Sequence, residues 1–250
     1  SSDLGSLQVE IPKLNGGIIH RALINNKVVI DAPKDNTPDR GAFISVLNSS
    51  SNNSSNFFSS LLKSSSTPLN SDRILSYKNM VSNSGDSKYN LYDPWNLDVK
   101  VEDNGPLHSI IRISGTHLNS TGNSFSTFII RLHFFKNQNT IKVTHSLVYT
   151  GDETEQIKDF GLRLPFLATN ASTLIEGVAV ETGMGEVRHL AYGNYEVNSS
   201  QKSGQALGYI GRSNDNVNMS VILRDMAEHF PKALVANQVG IEIQLYPNSI

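Results

Sequence analysis

Hydrophobic residues recur at every second position along most of this chain, which is the spacing expected of half-buried β-strands. In FIIRLHFF, residues 128–135, the apolar positions 128, 130, 132 and 134 share one face, whereas Arg131 and His133 fall on the other. We therefore expect the even-numbered side chains to be in the core. Arg131 and His133 then point either into solvent or into a concave, ligand-binding groove.

Turn-forming residues separate these alternating segments and predict hairpins. Asn25-Asn26 links GGIIHRALI to KVVI, Asn104-Gly105-Pro106 links NLDVKVED to LHSIIRISGTHL, and residues 136–139 link STFIIRLHFF to TIKVTHSLVY. After a turn at Gly151-Asp152 the chain returns as DFGLRLPF. Regularly spaced strands joined in this way predict an all-β fold, a large antiparallel β-sandwich.

Helical periodicity is scarce. The best candidate for one short helix is RDMAEHFPKALVA, residues 224–236, in which Pro231 removes a backbone donor and limits the helix to a turn or two. Residues 48–71 are mostly Ser and Asn, so we expect a mobile surface insertion there. The rest of residues 1–250 reads as a single β-sandwich domain.

Composition narrows the range of partners. The net charge is −2 and charged residues make up 18% of the chain, so no basic field is available for nucleic acid or an anionic membrane. No segment has the roughly 20 apolar residues of a membrane span. The chain has no cysteine, which excludes disulfides and thiolate metal sites.

Glycosylation motifs are frequent. Asn-x-Ser/Thr occurs at Asn48, Asn52, Asn53, Asn119, Asn170, Asn198 and Asn218. These motifs favour a secreted, extracellular glycoprotein. The alternative is that a chain rich in Ser and Asn generates them by chance.

His145 and Tyr149 lie on the apolar face of the strand TIKVTHSLVY, in line with Ile141 and Leu147. Buried histidines and tyrosines are most often hydrogen-bonded core residues. The other interpretation is that this face opens at one end onto a catalytic site.

Further candidates lie later in the chain. Arg163 alternates with apolar neighbours, and Arg188-His189 follows a Gly-rich turn and could offer a fork for a carboxylate beside an imidazole. The acidic turn at Asp152, Glu153 and Glu155 could hold Ca²⁺ through oxygen ligands or could be a solvated loop. No metal ligand and no other cofactor is assigned.

Aromatic residues in loop-like settings, Tyr92, Trp95 and Tyr195, could stack on sugar rings. Trp95 is the only tryptophan, and it could equally anchor the core.

The run RLHFFKNQNTIKVTHSLVYTGDETEQIKDFGLRLPF resembles a block in exo-rhamnogalacturonan lyases, polysaccharide lyase family 26, and their bacterial relatives. The corresponding motifs are Arg131–Phe135, His145–Asp152 and Asp159–Arg163. The segments IPKLNGGIIHRALINNKVVID, NGPLHSIIRISGTH, RDMAEHFPKAL and IEIQLYP resemble other parts of the family in the same order, with His108 where the family usually has Arg. The matches run from about residue 8 to the C-terminus.

The resemblance implies a central β-sandwich of the galactose-mutarotase type, preceded by a small barrel and followed by an (α/α) toroid. It implies contact with an acidic pectic polysaccharide, rhamnogalacturonan I, that is cleaved by β-elimination. A sandwich without its toroid is expected to be incomplete as an enzyme. Two alternatives stay open, a non-catalytic carbohydrate-binding or structural sandwich and a mutarotase-like epimerase with a convergent His/Glu pair.

β-Elimination at a uronate requires a group that neutralises the carboxylate, a base, and a proton donor. The candidates are Arg163 or Arg188 for the carboxylate, His145 or His189 as the base, and Tyr149 as the donor. Substrate binding is assigned to Arg131, His133, Arg188, Trp95 and Tyr92.

Overall fold

The computed structural model describes residues 2–3, 6–12, 18–31, 41–47, 89–118, 124–150, 156–166, 171–180, 183–214, 217–237 and 240–246. Within these ranges every regular element is a β-strand, so the fold is all-β, as the alternating pattern predicts. No helix long and apolar enough to cross a membrane is found in the described part of the chain. The insertion at 48–71 and the acidic turn at 152–155 lie outside the described residues.

The strands of the first part of the chain are β1 (Ser2–Asp3), β2 (Leu7–Glu10), β3 (Arg21–Ile24), β4 (Lys27–Asp31), β5 (Gly41–Leu47), β6 (Tyr89–Asn104), β7 (His108–Leu118), β8 (Ser124–Phe135) and β9 (Ile141–Tyr149). The remaining strands are β10 (Gln156–Pro165), β11 (Ser172–Ile175), β12 (Val178–Val180), β13 (Gly185–Ala191), β14 (Asn194–Val197), β15 (Ser200–Ser203), β16 (Tyr209–Ser213), β17 (Asn218–Ile222), β18 (Lys232–Asn237) and β19 (Gly240–Tyr246).

These strands form three antiparallel sheets. An 11-stranded sheet has the order β15-β14-β13-β18-β19-β10-β5-β6-β7-β8-β9, and two four-stranded sheets have the orders β1-β2-β3-β4 and β12-β11-β16-β17. The strands are thus distributed over three sheets rather than two large facing ones, although the antiparallel all-β character is as predicted.

One contiguous core joins the three sheets. It combines Val9 and Ile30 of the first small sheet, Ile130 of the large sheet, and Ile175 and Ile210 of the second small sheet. The even-numbered residues of FIIRLHFF are at most 1% exposed, namely Phe128, Ile130, Leu132 and Phe134. The interpretation of FIIRLHFF is therefore confirmed, and its odd-numbered residues lie on the opposite face.

The short connections follow the turn residues. Asn25 and Asn26 have φ values of 50° and 64° and join β3 to β4, as expected for a two-residue hairpin turn. The hairpins β6–β7 and β8–β9 also form as predicted. The segment STLIEGVAVET divides into β11 and β12, because Glu176-Gly177 forms a turn with two positive φ values.

Two expectations about local structure are wrong. The segment 224–236 contains no helix: residues 224–229 form turns, and residues 232–237 form β18 in the large sheet. Asp225 has a φ of 54°, which an α-helix does not allow, and Pro231 supplies no amide donor. Strand β10 does not return along β9 but pairs with β5 and β19. Strand β9 therefore lies at the edge of the large sheet.

Candidate functional site

The outer surface of strands β6 to β9 carries most of the described ionisable side chains in this region. In the sheet register Lys100 lies opposite Arg112, Arg112 opposite Arg131, and His133 opposite Lys142. Residues directly opposite across neighbouring strands point to the same side of a sheet. We call this surface the charged face; it comprises Asp98, Lys100, Glu102, Asp103, His108, Arg112, Arg131, His133 and Lys142.

Ion pairs cross-link the charged face. The Arg131 guanidinium donates two hydrogen bonds to Glu102, from Nε to Oε2 at 2.7 Å and from Nη2 to Oε1 at 3.1 Å. The Arg112 Nη2 donates to Asp98 at 3.1 Å, and Lys100 Nζ lies 2.8 Å from the same carboxylate. Hydrogen bonding from Arg131 lowers the pKa of Glu102, and Lys100 does the same for Asp98. These acids are therefore ionised at neutral pH.

Two histidines meet on this face. His108 Nε2 and His133 Nδ1 are 3.2 Å apart, and His108 Nδ1 lies 3.6 Å from Asp103 Oδ2. The His108 ring also lies 4.8 Å from Phe135, centroid to centroid. Burial, reinforced by Lys142, His108 and Arg131, lowers the pKa of His133, against the effect of Glu102. His133 is thus neutral at pH 7.

His145 lies on the other side of this sheet, in the core. Its ring centroid is 4.7 Å from that of Phe160 and 6.2 Å from that of Phe128. Both ring nitrogens are buried, and neither has a hydrogen-bond partner. Burial lowers the pKa of His145 to about 4. The structure therefore places this imidazole among aromatic rings rather than in an open cleft.

His117 is a second core histidine on the same face, which the sequence interpretation did not single out. It is fully buried, its Nδ1 is 2.9 Å from Ser126 Oγ, and its ring lies 4.8 Å from Phe128. Burial and the proximity of His145 lower its pKa to about 3. The sequence does contain a signal for it: His117 comes two residues after Gly115, so the alternation of β7 places both on its apolar face.

Tyr149 is on the same face of β9 as His145 but nearer its end. It is 43% exposed and packs edge-on against Phe125 at 5.3 Å.

Arg163 and Arg188 lie on one face of another part of the large sheet. In the sheet register Arg163 lies opposite Glu242, Glu242 opposite Val235, and Val235 opposite Glu186. These four side chains therefore point to one side of the sheet. Arg188 points to the same side, because it is two residues after Glu186 in β13. Three strand spacings and two residues along β13 separate the backbones of the two arginines by roughly 16 Å. Each has a carboxylate partner: Arg163 Nε to Glu242 Oε2 at 3.2 Å, and Arg188 Nη2 to Glu186 Oε2 at 2.7 Å.

Arg188 and His189 do not form the predicted carboxylate-binding pair. Consecutive residues of a strand project to opposite faces, and β13 is regular here. Arg188 joins the polar row, whereas His189 is 1% exposed on the core side near Phe230 and Tyr195. His189 Nδ1 accepts a hydrogen bond of 3.4 Å from the Ala206 amide, and burial lowers the pKa of His189.

Tyr92 and Trp95 are part of strand β6, and Tyr195 is in β14, so the loop-like setting expected for them is wrong. The Asn, Asp and Pro residues around Trp95 suggested a loop, but β6 pairs with β5 and β7 here and accommodates Trp95 next to a register shift. For Tyr92 and Trp95 only the backbone is described.

The four catalytic candidates do not converge. His145 and His189 contact different parts of the core, Tyr149 lies near an edge, and Arg163 points away from the face on which His145 packs. Arg131 and His133 do come together, with Glu102, Asp103, His108 and Lys142 around them. Among the described residues, no group of three or more His, Asp or Glu side chains has an arrangement that could hold a metal ion.

Comparison with known families agrees with the fold. A profile of the family described as "PcRGLX-like protein central beta sandwich domain" matches residues 46–172, just over half of the chain. This chain belongs to the PcRGLX-like family. The match confirms the resemblance to rhamnogalacturonan lyase-like proteins and their central β-sandwich. No curated protein matches the chain.

The PcRGLX-like match includes the whole charged face, since β6 to β9 lie within residues 89–149. It ends at the start of β11, before the strands that carry His189, Arg188 and Glu242. The charged face therefore lies within the part of the chain that matches the family.

Proposed function

We propose that this domain binds an acidic pectic polysaccharide of the rhamnogalacturonan type on the charged face, as part of a lyase that cleaves the polymer by β-elimination. The observation that carries the proposal is the charge of this face. Its four cations, Lys100, Arg112, Arg131 and Lys142, outnumber its three carboxylates, whereas the whole chain has a net charge of −2.

Lys142 is the best placed of these cations to bind a uronate. It is exposed on the edge strand β9, and no carboxylate of the described residues lies within ion-pair distance of it. Arg131, by contrast, is held in a fixed orientation by Glu102, which suits hydrogen bonding to sugar hydroxyls or to one carboxylate edge. We assign this role to a mutarotase-like sandwich domain that acts in the extracellular space.

Titration calorimetry with rhamnogalacturonan I oligosaccharides tests the proposal. We expect binding that weakens with added salt and that is lost when the uronates are reduced to neutral sugars. Lys142→Gln should weaken binding about tenfold, the loss of one well-placed charge–carboxylate contact. Lys202→Gln in the edge strand β15 is the matched control and should leave affinity unchanged. Equal affinity for the neutral polymer would contradict the proposal.

A purely binding role is the second candidate. The separation of His145, Tyr149, Arg163 and His189 favours it, because a base, a donor and a carboxylate clamp must surround one sugar for elimination to occur. Absorbance of the unsaturated uronate distinguishes the two roles: binding with no absorbance change supports the binding module.

A further inference from the structure

We infer that Asp103, His108 and His133 form a proton relay whose outer nitrogen, Nε2 of His133, removes a proton from a uronate bound on the charged face. This inference rests on the proposed function and adds a catalytic base to it. The relay uses none of the four catalytic candidates that the sequence suggested.

The contact between the two imidazoles is edge to edge. Their planes are inclined by only 16°, and the facing nitrogens, at 3.2 Å, are much closer than the ring centroids, at 5.3 Å. A hydrogen bond fits this separation. The two rings are therefore placed to share a proton.

Asp103 sets the direction of the relay. Its carboxylate accepts only, so it favours a proton on His108 Nδ1, which faces it at 3.6 Å. Nε2 of a neutral His108 is then an acceptor, and the facing Nδ1 of His133 must be the donor. This leaves Nε2 of His133 unprotonated, with a lone pair available to a ligand. The carboxylate–imidazole order is that of known general-base systems.

The surroundings keep this nitrogen basic but uncharged. His133 is faced by Lys142 from β9, by Arg131 and Glu102 at one side, and by His108 at the other. Burial and the nearby cations hold the pKa of His133 below its ordinary value of 6.5. Since Lys142 lies directly opposite His133 in the sheet, a carboxylate bound to its ammonium brings the adjacent C5–H of a uronate close to His133.

The C5–H bond breaks and its proton forms a bond with His133 Nε2, while the electron pair is delocalised into the carboxylate beside Lys142. That pair then forms the C4–C5 double bond as the C4–O4 bond breaks, and O4 takes a proton from water. The His133 imidazolium returns its extra proton to water.

Hydrogen exchange in D₂O tests the abstraction step without requiring elimination. The full chain is incubated with uronate oligosaccharides of rhamnogalacturonan I, and loss of the H5 proton signal is followed by NMR together with the absorbance of unsaturated product. We expect His133→Gln to slow H5 loss at least about 100-fold, the usual contribution of a general base, with binding unchanged in calorimetry. His229→Gln, at an exposed turn, is the control.

The pH profile distinguishes a positioning role of Asp103 and His108 from a purely structural one. Removing the carboxylate in Asp103→Asn should shift the pH dependence of H5 loss to lower pH, since the relay that takes up the C5 proton loses its nearby negative charge. An unchanged profile would overturn the relay. The ¹⁵N shifts of the wild-type imidazoles give a test independent of any variant: a protonated His133 Nε2 in the neutral ring overturns it.

The outcomes also separate this inference from the proposed function. Oligosaccharide binding without H5 exchange in the wild-type chain overturns the relay and leaves the binding function standing. Absence of binding overturns both.

Discussion

The ring centroids of His145 and Phe160 lie 4.7 Å apart, although the strands that carry them, β9 and β10, share no hydrogen bonds. The two side chains therefore meet across the space between packed layers of the sheet, and not through pairing of neighbouring strands. The 11-stranded sheet folds back so that its β8–β9 end covers β10. A small cluster of Phe125, Leu147, Ile157 and Phe160 fills this space.

Replacing His145 by Leu should stabilise the protein. Two buried ring nitrogens without partners cost desolvation free energy, and Leu fills a similar volume without that cost. We expect the free energy of unfolding at neutral pH to rise by about 1–3 kcal/mol in urea denaturation, with an unchanged m-value. His229→Leu, at an exposed turn, should change it by less than about 0.5 kcal/mol. A destabilised H145L variant would indicate a polar role for the imidazole.

Acid should destabilise the fold through His117 and His145. Their pKa values are about 3 and about 4 in the folded chain and near 6.5 when unfolded, so the unfolded state takes up protons first. Stability is therefore complete above pH 6.5 and falls as the pH drops toward 4, by about 1.4 kcal/mol per pH unit for each histidine. Urea denaturation from pH 6.5 to about 5 measures this slope, and H145L should reduce it by about 1.4 kcal/mol per pH unit. A flat profile would show that both rings are protonated in the folded state.

The pair of Arg163 and Glu242 should be structural. Their side chains are 12% and 10% exposed, and the Gln244 amide also donates to Glu242 at 2.7 Å. Glu242→Leu should lower the free energy of unfolding by about 3–5 kcal/mol, because it leaves buried donors without their acceptor. The double variant Arg163→Met/Glu242→Leu should lose less than the sum of the two single variants.

The exposed pair of Arg224 and Asp225 provides the comparison. Its N–O distance is a similar 3.1 Å, but Arg224 is 87% exposed. Arg224→Met should therefore cost no more than about 1 kcal/mol. Equal losses at the two sites would show that burial does not determine the strength of the Arg163 pair.

Gly208 and Gly193 allow a steric effect to be separated from a backbone effect. Their φ values are 73° and 74°, but an added Cβ at Gly208 would lie 2.5 Å from the Leu223 carbonyl oxygen, whereas at Gly193 nothing lies within 4 Å. Gly193→Ala should cost about 1–2 kcal/mol, and Gly208→Ala about 1–3 kcal/mol more. Thermal or urea unfolding of both variants measures the difference. Equal losses would mean that only the left-handed backbone matters.

Local features of this fold could be predicted from the sequence, because the information for them lies within a few residues. Asn25-Asn26 tolerates the left-handed conformations of a tight turn, and the alternation in β8 assigns Arg131 and His133 to one face. The partners of β10 could not be predicted in the same way. Arg163 pairs with Glu242, and nothing in a period of two specifies which distant strand lies alongside.

The candidate site follows the same division. Strand alternation alone places Arg188 and His189 on opposite faces of β13, and the hypothesis that they cooperate did not take this into account. The contact between His108 and His133 required the register of β7 against β8, in which His133 lies opposite Ile110 and His108 is its diagonal neighbour. Burial of both His145 nitrogens depends on Phe160 packing across layers, which no local pattern encodes.

The position of β10 between β5 and β19 has a practical consequence for making fragments of this protein. The family match ends at residue 172, but β19 and β18 continue the same sheet without interruption. An expression product terminated at that boundary would present the bare backbone of β10, including its donors and acceptors, to the solvent. Such an edge recruits strands from other molecules. Recombinant versions should therefore extend at least through Tyr246 to remain monodisperse.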